Sequence, residues 1–483
     1  MNHRMILKSV GTLMYIEAAC LIPSLVVALL YGQGDALAFA VSAAVVAALG
    51  LLLRLFKPKT TDIFAKDGLA IVGFGWLLVS FMGALPFVLS GAIPSVVDAL
   101  FESVSGFSTT GASILRSVES LPRGVLFWRA FTHWMGGLGF LVLMLALLSN
   151  RASALHIMKA ESTGPSTDKF VPKLRQVAKI LYMIYLGMTV AVTLLLLLGG
   201  MDLYDALIHA FGTASTGGFS SRDLSVGAFG SAYVEIVIAV FMVLCGVNFT
   251  LYHMLRGRKW KLVLRDEELR FYLIVVAAAT LLIFVDRTGV GVSQSFGVTL
   301  RESFFQVGSI ITTTGYATAN FDLWPVFSQC VLLLLMFLGG SAGSTAGGLK
   351  CVRFLLLVKI ARREVARLLH PRAIKTVTLG GKIVEEETLS GVMIYFFLYV
   401  AILALAGFIV ALDGKDLLSS ASAVLASVSN IGPGLGVVGP MGSYADFSVL
   451  SKLTLSACMI LGRLEIYPFL LLCAPSFWRR VNI

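Results

Sequence analysis

The sequence predicts an all-α integral membrane protein: an N-terminal helical hairpin, then four tandem helix–loop–helix repeats around a central axis. Three observations predict it. Of the 483 residues, 57% are hydrophobic and only 13% charged, with a mean hydropathy of +0.88. That is more apolar surface than a water-soluble core can hide. The apolar runs are about 20 residues long and mostly uncharged, as spanning helices require; barrel strands would be shorter and would alternate. Finally, a short polar, glycine-centred stretch occurs four times: Ser108-Thr109-Thr110-Gly111-Ala112-Ser113, Ala214-Ser215-Thr216-Gly217-Gly218-Phe219, Thr312-Thr313-Thr314-Gly315-Tyr316-Ala317 and Ser429-Asn430-Ile431-Gly432-Pro433-Gly434. Aligned on the first glycine, the copies stand about 100 residues apart, an imperfect fourfold repeat.

The formal net charge is +11, but the basic residues lie between the apolar runs and not in one patch. This is the positive-inside signature of a cytoplasmic face, and it argues against nucleic acid as a partner. The six cysteines have neither metal-ligand nor paired spacing and read as small core residues. Arg4 and Lys8 before an apolar run to Leu30 imitate a secretory signal. The run is too long, however, and Glu17 stands where a lipoprotein box before Cys20 wants an aliphatic residue, so a retained first span is expected.

Residues 1–66 form the hairpin unit, with spans at 10–31 and 36–53 joined by Gly32-Gln33-Gly34-Asp35 and followed by the basic group Arg54, Lys57, Lys59 and Lys66. Repeat one (67–170) has a span at 68–92, a half-helix from Val96 to Phe107, the Gly111 turn and a span at 124–148. Arg151, Lys159, Lys169, Lys173, Arg175 and Lys179 follow. Repeat two (171–266) runs through 180–256, with a half-helix from Asp202 to Phe211 before the Gly217 turn. Repeat three (267–382) has a span at 271–285, a half-helix from Leu300 to Ile311, the Gly315 turn and a long apolar element from Trp324. Glycines and serines break that element at 339–350, and it resumes through Arg353, Lys359, Arg362, Arg363 and Arg367. Repeat four (383–483) has a span at 388–412, a half-helix from Lys415 to Val428, the Gly432 turn and a last span at 447–473 before Arg479-Arg480. Because every turn lies opposite the basic segments, all four enter from outside and both termini are cytoplasmic.

Polar backbone at bilayer depth survives only where protein buries it or where it lines an aqueous path. Backbone carbonyls can replace the water around a cation without a fixed charge, and glycine accepts the angles that aim them at one axis. The expected cation ligands are the carbonyls of Thr109, Thr110 and Gly111; Ser215, Thr216 and Gly217; Thr313, Thr314 and Gly315; and Asn430, Ile431 and Gly432. No turn contains a carboxylate, which excludes an acidic divalent-cation filter. Each half-helix would aim its partly negative C-terminal end at the path. Small residues also serve simple helix packing, but four copies in frame favour the ion-path reading.

The stretch 339–350 superficially resembles a phosphate loop, but it ends in Gly348-Leu349-Lys350-Cys351 instead of Gly-Lys-Ser/Thr. With Gly339, Gly340, Gly343, Ser344, Gly347 and Gly348 it cannot hold a rigid helix, so it reads as an irregular, movable linker bordering the cavity below the turns. Arg463 falls in mid-span, where an unpaired cation is costly, so it should face an aqueous cavity; pairing with Glu465 at i,i+2 is poor on a helix. Lys350 either joins that positive site or snorkels to the cytoplasmic interface. His133, Arg129 and Asn248 read as packing or interhelix hydrogen-bonding residues. No span carries a residue cluster suited to catalysis, so no enzyme is expected.

With these turns and the extra hairpin, the chain from residue 1 to about 475 resembles the membrane subunit of the Trk/Ktr/HKT potassium transporter family, in its TrkH-type branch. The Ktr type lacks the hairpin. The resemblance implies four potassium-channel-like units in pseudo-fourfold array, filter glycines at Gly111, Gly217, Gly315 and Gly432, a gate at 339–350 and an electrostatic barrier including Arg463. It further implies potassium uptake across the bacterial inner (plasma) membrane, K+ bound in the filter and no covalent cofactor. The implied partners are membrane lipid, a second copy in a homodimer and a cytosolic nucleotide-binding regulatory subunit of TrkA type. Some sodium-favouring plant relatives have serine at the first filter position, and Gly111 here favours potassium. The alternatives are a sodium-permeable or H+/Na+-coupled symporter of the same fold and, from another class, a membrane-embedded enzyme or sensor.

Overall fold

Glycine at a crossing point lets two membrane helices touch backbone to backbone, and the chain begins with such a crossing. In the computed structural model, which describes residues 1–56, 58, 64–138, 174–289, 295–371 and 375–478, helices His3–Tyr31 and Ala36–Arg54 form the hairpin. A Cβ on Gly11 would stand 2.9 Å from the carbonyl oxygen of Gly50. The expected stretch 139–148, with Lys57, Lys59, Arg151, Lys159, Lys169, Lys173, Arg479 and Arg480, lies outside the described residues.

The regular structure of the described residues is helical apart from one ribbon. Among the described residues, six helices are long and apolar enough to cross a membrane, or seven if one bent pair counts as a span. The first helices of the four repeats are Ala65–Gly83 (continued by Leu85–Leu89), Leu174–Leu198, Glu267–Gly289 and Glu386–Ala411. The half-helices are Val96–Phe107, Leu203–Ser215, Phe296–Ile311 and Leu417–Val428. At 12 to 16 residues they rise only about 18–24 Å, short of a hydrocarbon core of about 30 Å.

The second helices differ from expectation. They are Arg123–Gly137, Ala232–Cys245, Val326–Leu338 and Val449–Arg463, 13 to 15 residues each. The sequence reading has one interrupted element, whereas within the described residues those of repeats two, three and four all stop short. In repeat two the chain bends by 92° between Ala232–Cys245 and Phe249–Arg256. In repeat four Glu465 and Ile466 take positive φ (56° and 67°) before helix Tyr467–Cys473, so Arg463 ends a helix and does not sit mid-span. The physical cause is local: Gly136-Gly137, Gly246, Gly339-Gly340 and Gly462 stand at the four ends. A Cβ on Gly136 would overlap the Phe107 carbonyl, and one on Gly462 the Val428 carbonyl. The first and fourth of these helices therefore end against the C-terminus of their own half-helix, whereas Gly339, at the end of the third, lies against Gly347 and Gly348.

Each second helix packs on its own half-helix and on that of the next repeat, and the fourth packs on the first, closing a ring. The ribbon, Thr378–Leu379 antiparallel to Lys382–Ile383, was not expected. Gly380 and Gly381, at φ 59° and 77°, supply a two-residue turn of the primed kind. The repeat boundary drawn at 382 falls inside this ribbon.

Candidate functional site

Each half-helix ends in the same way. The N–H of Thr109, Thr216, Thr313 and Asn430 bonds to the carbonyl three residues back, and the next N–H to the carbonyl five residues back. This is the Schellman pattern, whose left-handed residue is usually glycine. Here it is threonine three times and asparagine once, at φ 55–57°. Left-handed threonine costs about 1–2 kcal/mol, and its recurrence at four matching positions marks a site where the surroundings enforce strain. Two residues on, the backbone turns left-handed again at Gly111, Gly218, Gly315 and Gly432, φ 78–95°.

The second turn is therefore shifted by one residue from the sequence alignment. Gly218, not Gly217, matches the other three glycines, and Thr216-Gly217 matches Thr109-Thr110. Ser215 is the last helical residue, its Oγ donating to the Phe211 carbonyl at 2.6 Å. Contacts between turns agree with this register. A Cβ on Gly111 would strike the carbonyl oxygen of Gly217, on Gly218 that of Thr314, on Gly315 that of Ile431, and on Gly432 that of Thr110. The four turns thus touch in a closed cycle, one carbonyl from each against one glycine of the next.

Other side chains hold the cycle. Within turns one and three, the hydroxyls of Ser108 and Thr110, and of Thr312 and Thr314, are 2.7 Å apart. Asn430 Nδ2 donates to Thr110 Oγ1 at 3.0 Å and to the Met459 carbonyl at 2.8 Å. The Tyr316 hydroxyl reaches across to the carbonyls of His209 and Phe219 at 3.3 and 3.2 Å. Behind turns one and two lies a buried ion pair: Glu102 accepts from Arg129 Nε at 2.5 Å, from Ser113 Oγ at 2.9 Å and from Ile114 N–H at 3.1 Å. Arg129 Nη1 donates to the Ser220 carbonyl at 3.2 Å, with its guanidinium 3.5 Å from the Phe219 ring centre. His133 Nδ1 lies 2.7 Å from the Gly106 carbonyl, and a Cβ on Gly217 would collide with its ring.

The stretch 339–350 is irregular, and most of it is buried under the turns. Gly347 N–H donates to Thr313 Oγ1 at 2.6 Å. Thr345 Oγ1 reaches the carbonyls of Ala214 and Cys245 at 3.2 and 3.3 Å. Ser341 N–H bonds to the Gly246 carbonyl, and Phe249 N–H to that of Gly343. Gly339 and Gly348 pack backbone on backbone, Gly340 lies against Ala346 and the Gly246 carbonyl, and the Ser344 hydroxyl closes on the Ser341 carbonyl. Arg463 Nη1 donates to the Thr345 carbonyl at 3.1 Å, and Nη2 to the carbonyls of Gly137 at 2.6 Å and Gly136. Glu465 pairs with Arg353, not with Arg463. Lys350 does not snorkel to an interface: it is 2% exposed and its ammonium group donates to the Ala346 carbonyl. Asn248 caps the helix after the bend, accepting from Thr250 N–H at 2.9 Å.

Sequence reasoning missed Gly218, Thr345, the Glu102–Arg129 pair and the helix breaks of repeats two and four. The helix ends had a visible signal, a glycine 24 to 30 residues beyond the first glycine of each turn. The register had none, because Gly217-Gly218 offers two alignments and only backbone angles choose between them.

The family model for the TrkH cation transport proteins matches residues 36–480. The chain belongs to the TrkH family. Its relatives include the Trk system potassium uptake protein TrkH of Escherichia coli K12, 37% identical over 99% of this chain and 100% of that one. The Trk system potassium uptake protein TrkI of Halomonas elongata is 33% identical over 98% and 97%. The crystal structure of the potassium transporter TrkH from Vibrio parahaemolyticus superposes with a TM-score of 0.89 at 33% identity, covering 99% of this chain and 100% of that one. A TrkH-family chain with these apolar helices is a multi-pass membrane protein of a transport family, not an enzyme.

Proposed function

We propose that this protein takes up potassium across the bacterial inner membrane, passing the ion along the axis enclosed by the four turns. The observation that carries the reading is the closed cycle of carbonyl-to-glycine contacts, an arrangement suited to replacing an ion's water with peptide oxygens. The names of the relatives, Trk system potassium uptake proteins, support the choice of ion. The ligands are the carbonyls of Thr109, Thr110 and Gly111, of Thr216, Gly217 and Gly218, of Thr313, Thr314 and Gly315, and of Asn430, Ile431 and Gly432. The working unit is a homodimer with both termini cytoplasmic, and a cytosolic nucleotide-binding subunit of TrkA type regulates it. The repeats serve as four pore units.

The deciding experiment is tracer flux into vesicles with K+, Rb+ and Na+ offered separately, together with growth of a potassium-uptake-deficient cell at low K+. Saturable K+ and Rb+ flux well above Na+ is expected, and equal Na+ flux would end the potassium reading.

Residues 339–350 act as the gate, with Arg463 and Lys350 setting a positive barrier beneath the turns. Thr345→Val keeps the shape and removes a hydroxyl bonded to two carbonyls of repeat two. At about 0.5–1.5 kcal/mol per net hydrogen bond, and about 1.4 kcal/mol per tenfold, unregulated flux should rise roughly two- to tenfold. Vesicle flux without the regulatory subunit checks it; no rise at wild-type expression and folding would count against the gate.

A further inference from the structure

We propose that Glu268 is the clasp that keeps residues 339–350 folded in beneath the turns, and that Glu267 and Lys359 tie this clasp to the cytosolic ribbon. The inference deepens the gate reading above and rests on it for its effect on flux, but not for the clasp itself.

Glu268 lies in the first turn of helix Glu267–Gly289, on a different helix from the gate. Its Oε1 accepts from Ala342 N–H at 2.6 Å and from Val352 N–H at 3.2 Å. One carboxylate oxygen therefore joins two backbone donors, one inside the glycine-rich segment and one just beyond its end. Val352 belongs to the first turn of helix Cys351–Leu369, whose own N-cap residue, Lys350, makes no side-chain capping bond. Helix starts leave four N–H groups without partners and favour negative charge. Glu268 supplies from outside the acceptor that the chain does not supply locally.

The clasp excludes one particular alternative. If Val326–Leu338 and Cys351–Leu369 joined into one continuous helix, Val352 N–H would bond to the Gly348 carbonyl and Ala342 N–H to that of Leu338, the i→i−4 pattern. Both donors cannot serve Glu268 and the continuous helix at once. Straightening the element, which would withdraw Gly347 from Thr313 and Thr345 from Ala214, requires Glu268 to let go.

The neighbouring carboxylate provides a route from the cytosol. Glu267 pairs with Lys359 Nζ at 2.5 Å, and the same ammonium donates to the carbonyl of Thr378, in the ribbon, at 2.6 Å. Val352, Leu356 and Ile360 pack with Val377, Val384 and Leu389 on either side of that ribbon. Arg363 pairs with Glu386, the first residue of the next helix. Pulling the ribbon thus acts on Lys359, and through Glu267 on the helix turn that holds Glu268.

The test uses the full chain in vesicles of phosphatidylethanolamine and phosphatidylglycerol, without a regulatory subunit, and compares wild type with Glu268→Ala, Glu268→Gln and Lys359→Met. Amide hydrogen exchange read by mass spectrometry should speed up at least tenfold in peptides covering 339–352 for Glu268→Ala, and less for Glu268→Gln, which keeps an acceptor oxygen. Rb+ flux and single-channel recording should show an open fraction raised several-fold in Glu268→Ala, with unit conductance and the K+/Na+ ratio unchanged; Lys359→Met should give a smaller rise. Exchange in 339–352 that stays at the wild-type rate in Glu268→Ala overturns the clasp. So does an unchanged or lower open fraction in a variant whose exchange has sped up, as far as gating is concerned. Faster exchange in a protein whose wild type carries no ion would instead sink the pore reading and leave the clasp standing.

Discussion

Gly218→Ala should lower K+ uptake at least tenfold and erode the preference for K+ over Na+, and no change in side chains nearby should restore it. Gly218 sits at φ 81°, where a Cβ is strained, and the added carbon would overlap the Thr314 carbonyl oxygen. That atom is backbone and is itself one of the proposed ligands, so it cannot yield without spoiling the cycle. Strain of about 1–2 kcal/mol for the left-handed conformation alone approaches a tenfold effect, and the overlap adds to it. Gly217→Ala is the informative control. Its φ is not left-handed, and its Cβ would meet the His133 ring, a side chain. In a His133→Ala background Gly217→Ala should regain much of its uptake, whereas Gly218→Ala should not. Tracer flux and growth at low K+ for the four variants decide the register; rescue of Gly218→Ala and not of Gly217→Ala would reverse it.

Arg129→Leu is expected to be the most destabilising single change near the turns. Glu102 is fully buried and Arg129 only 4% exposed. Removing one member of such a pair leaves a charge without compensation, at a cost of about 3–5 kcal/mol. The damage should reach function, because the guanidinium ties the first half-helix to Phe219 and Ser220 of the second turn. A clear fall in the thermal unfolding temperature in detergent is expected, with partial recovery in Glu102→Gln/Arg129→Leu, where no charge is stranded. If the double variant is no more stable than Arg129→Leu, the cost does not come from an unpaired charge. The K+/Na+ flux ratio of the double variant then reports the brace: it should fall even where stability has returned.

The half-helix Val96–Phe107 begins and ends where the apolar pattern and the following turn residues place it, because a helix of that length with a polar stop has little freedom. The last span departs from its sequence pattern for the converse reason. Val449 to Cys473 is apolar enough to look continuous, and the single glycine before Arg463 is a weak breaker by itself. Only its pressing against the Val428 carbonyl, and the three carbonyls waiting for the guanidinium, make the end decisive. Lys350 likewise could have snorkelled on grounds of length. A carbonyl of its own segment, Ala346, takes its ammonium group instead.

Composition and run length determined by themselves that this chain is a helical membrane protein, because apolar content and length are written into consecutive residues. Tertiary structure alone decided which glycine of the second turn faces its neighbour, that the second helices of repeats two, three and four break, and that a carboxylate from one helix caps another across the glycine-rich stretch 339–350. Those features depend on carbonyls and N–H groups contributed by segments about 100 residues apart. Side-chain order along the chain carries no record of where such backbone groups will meet.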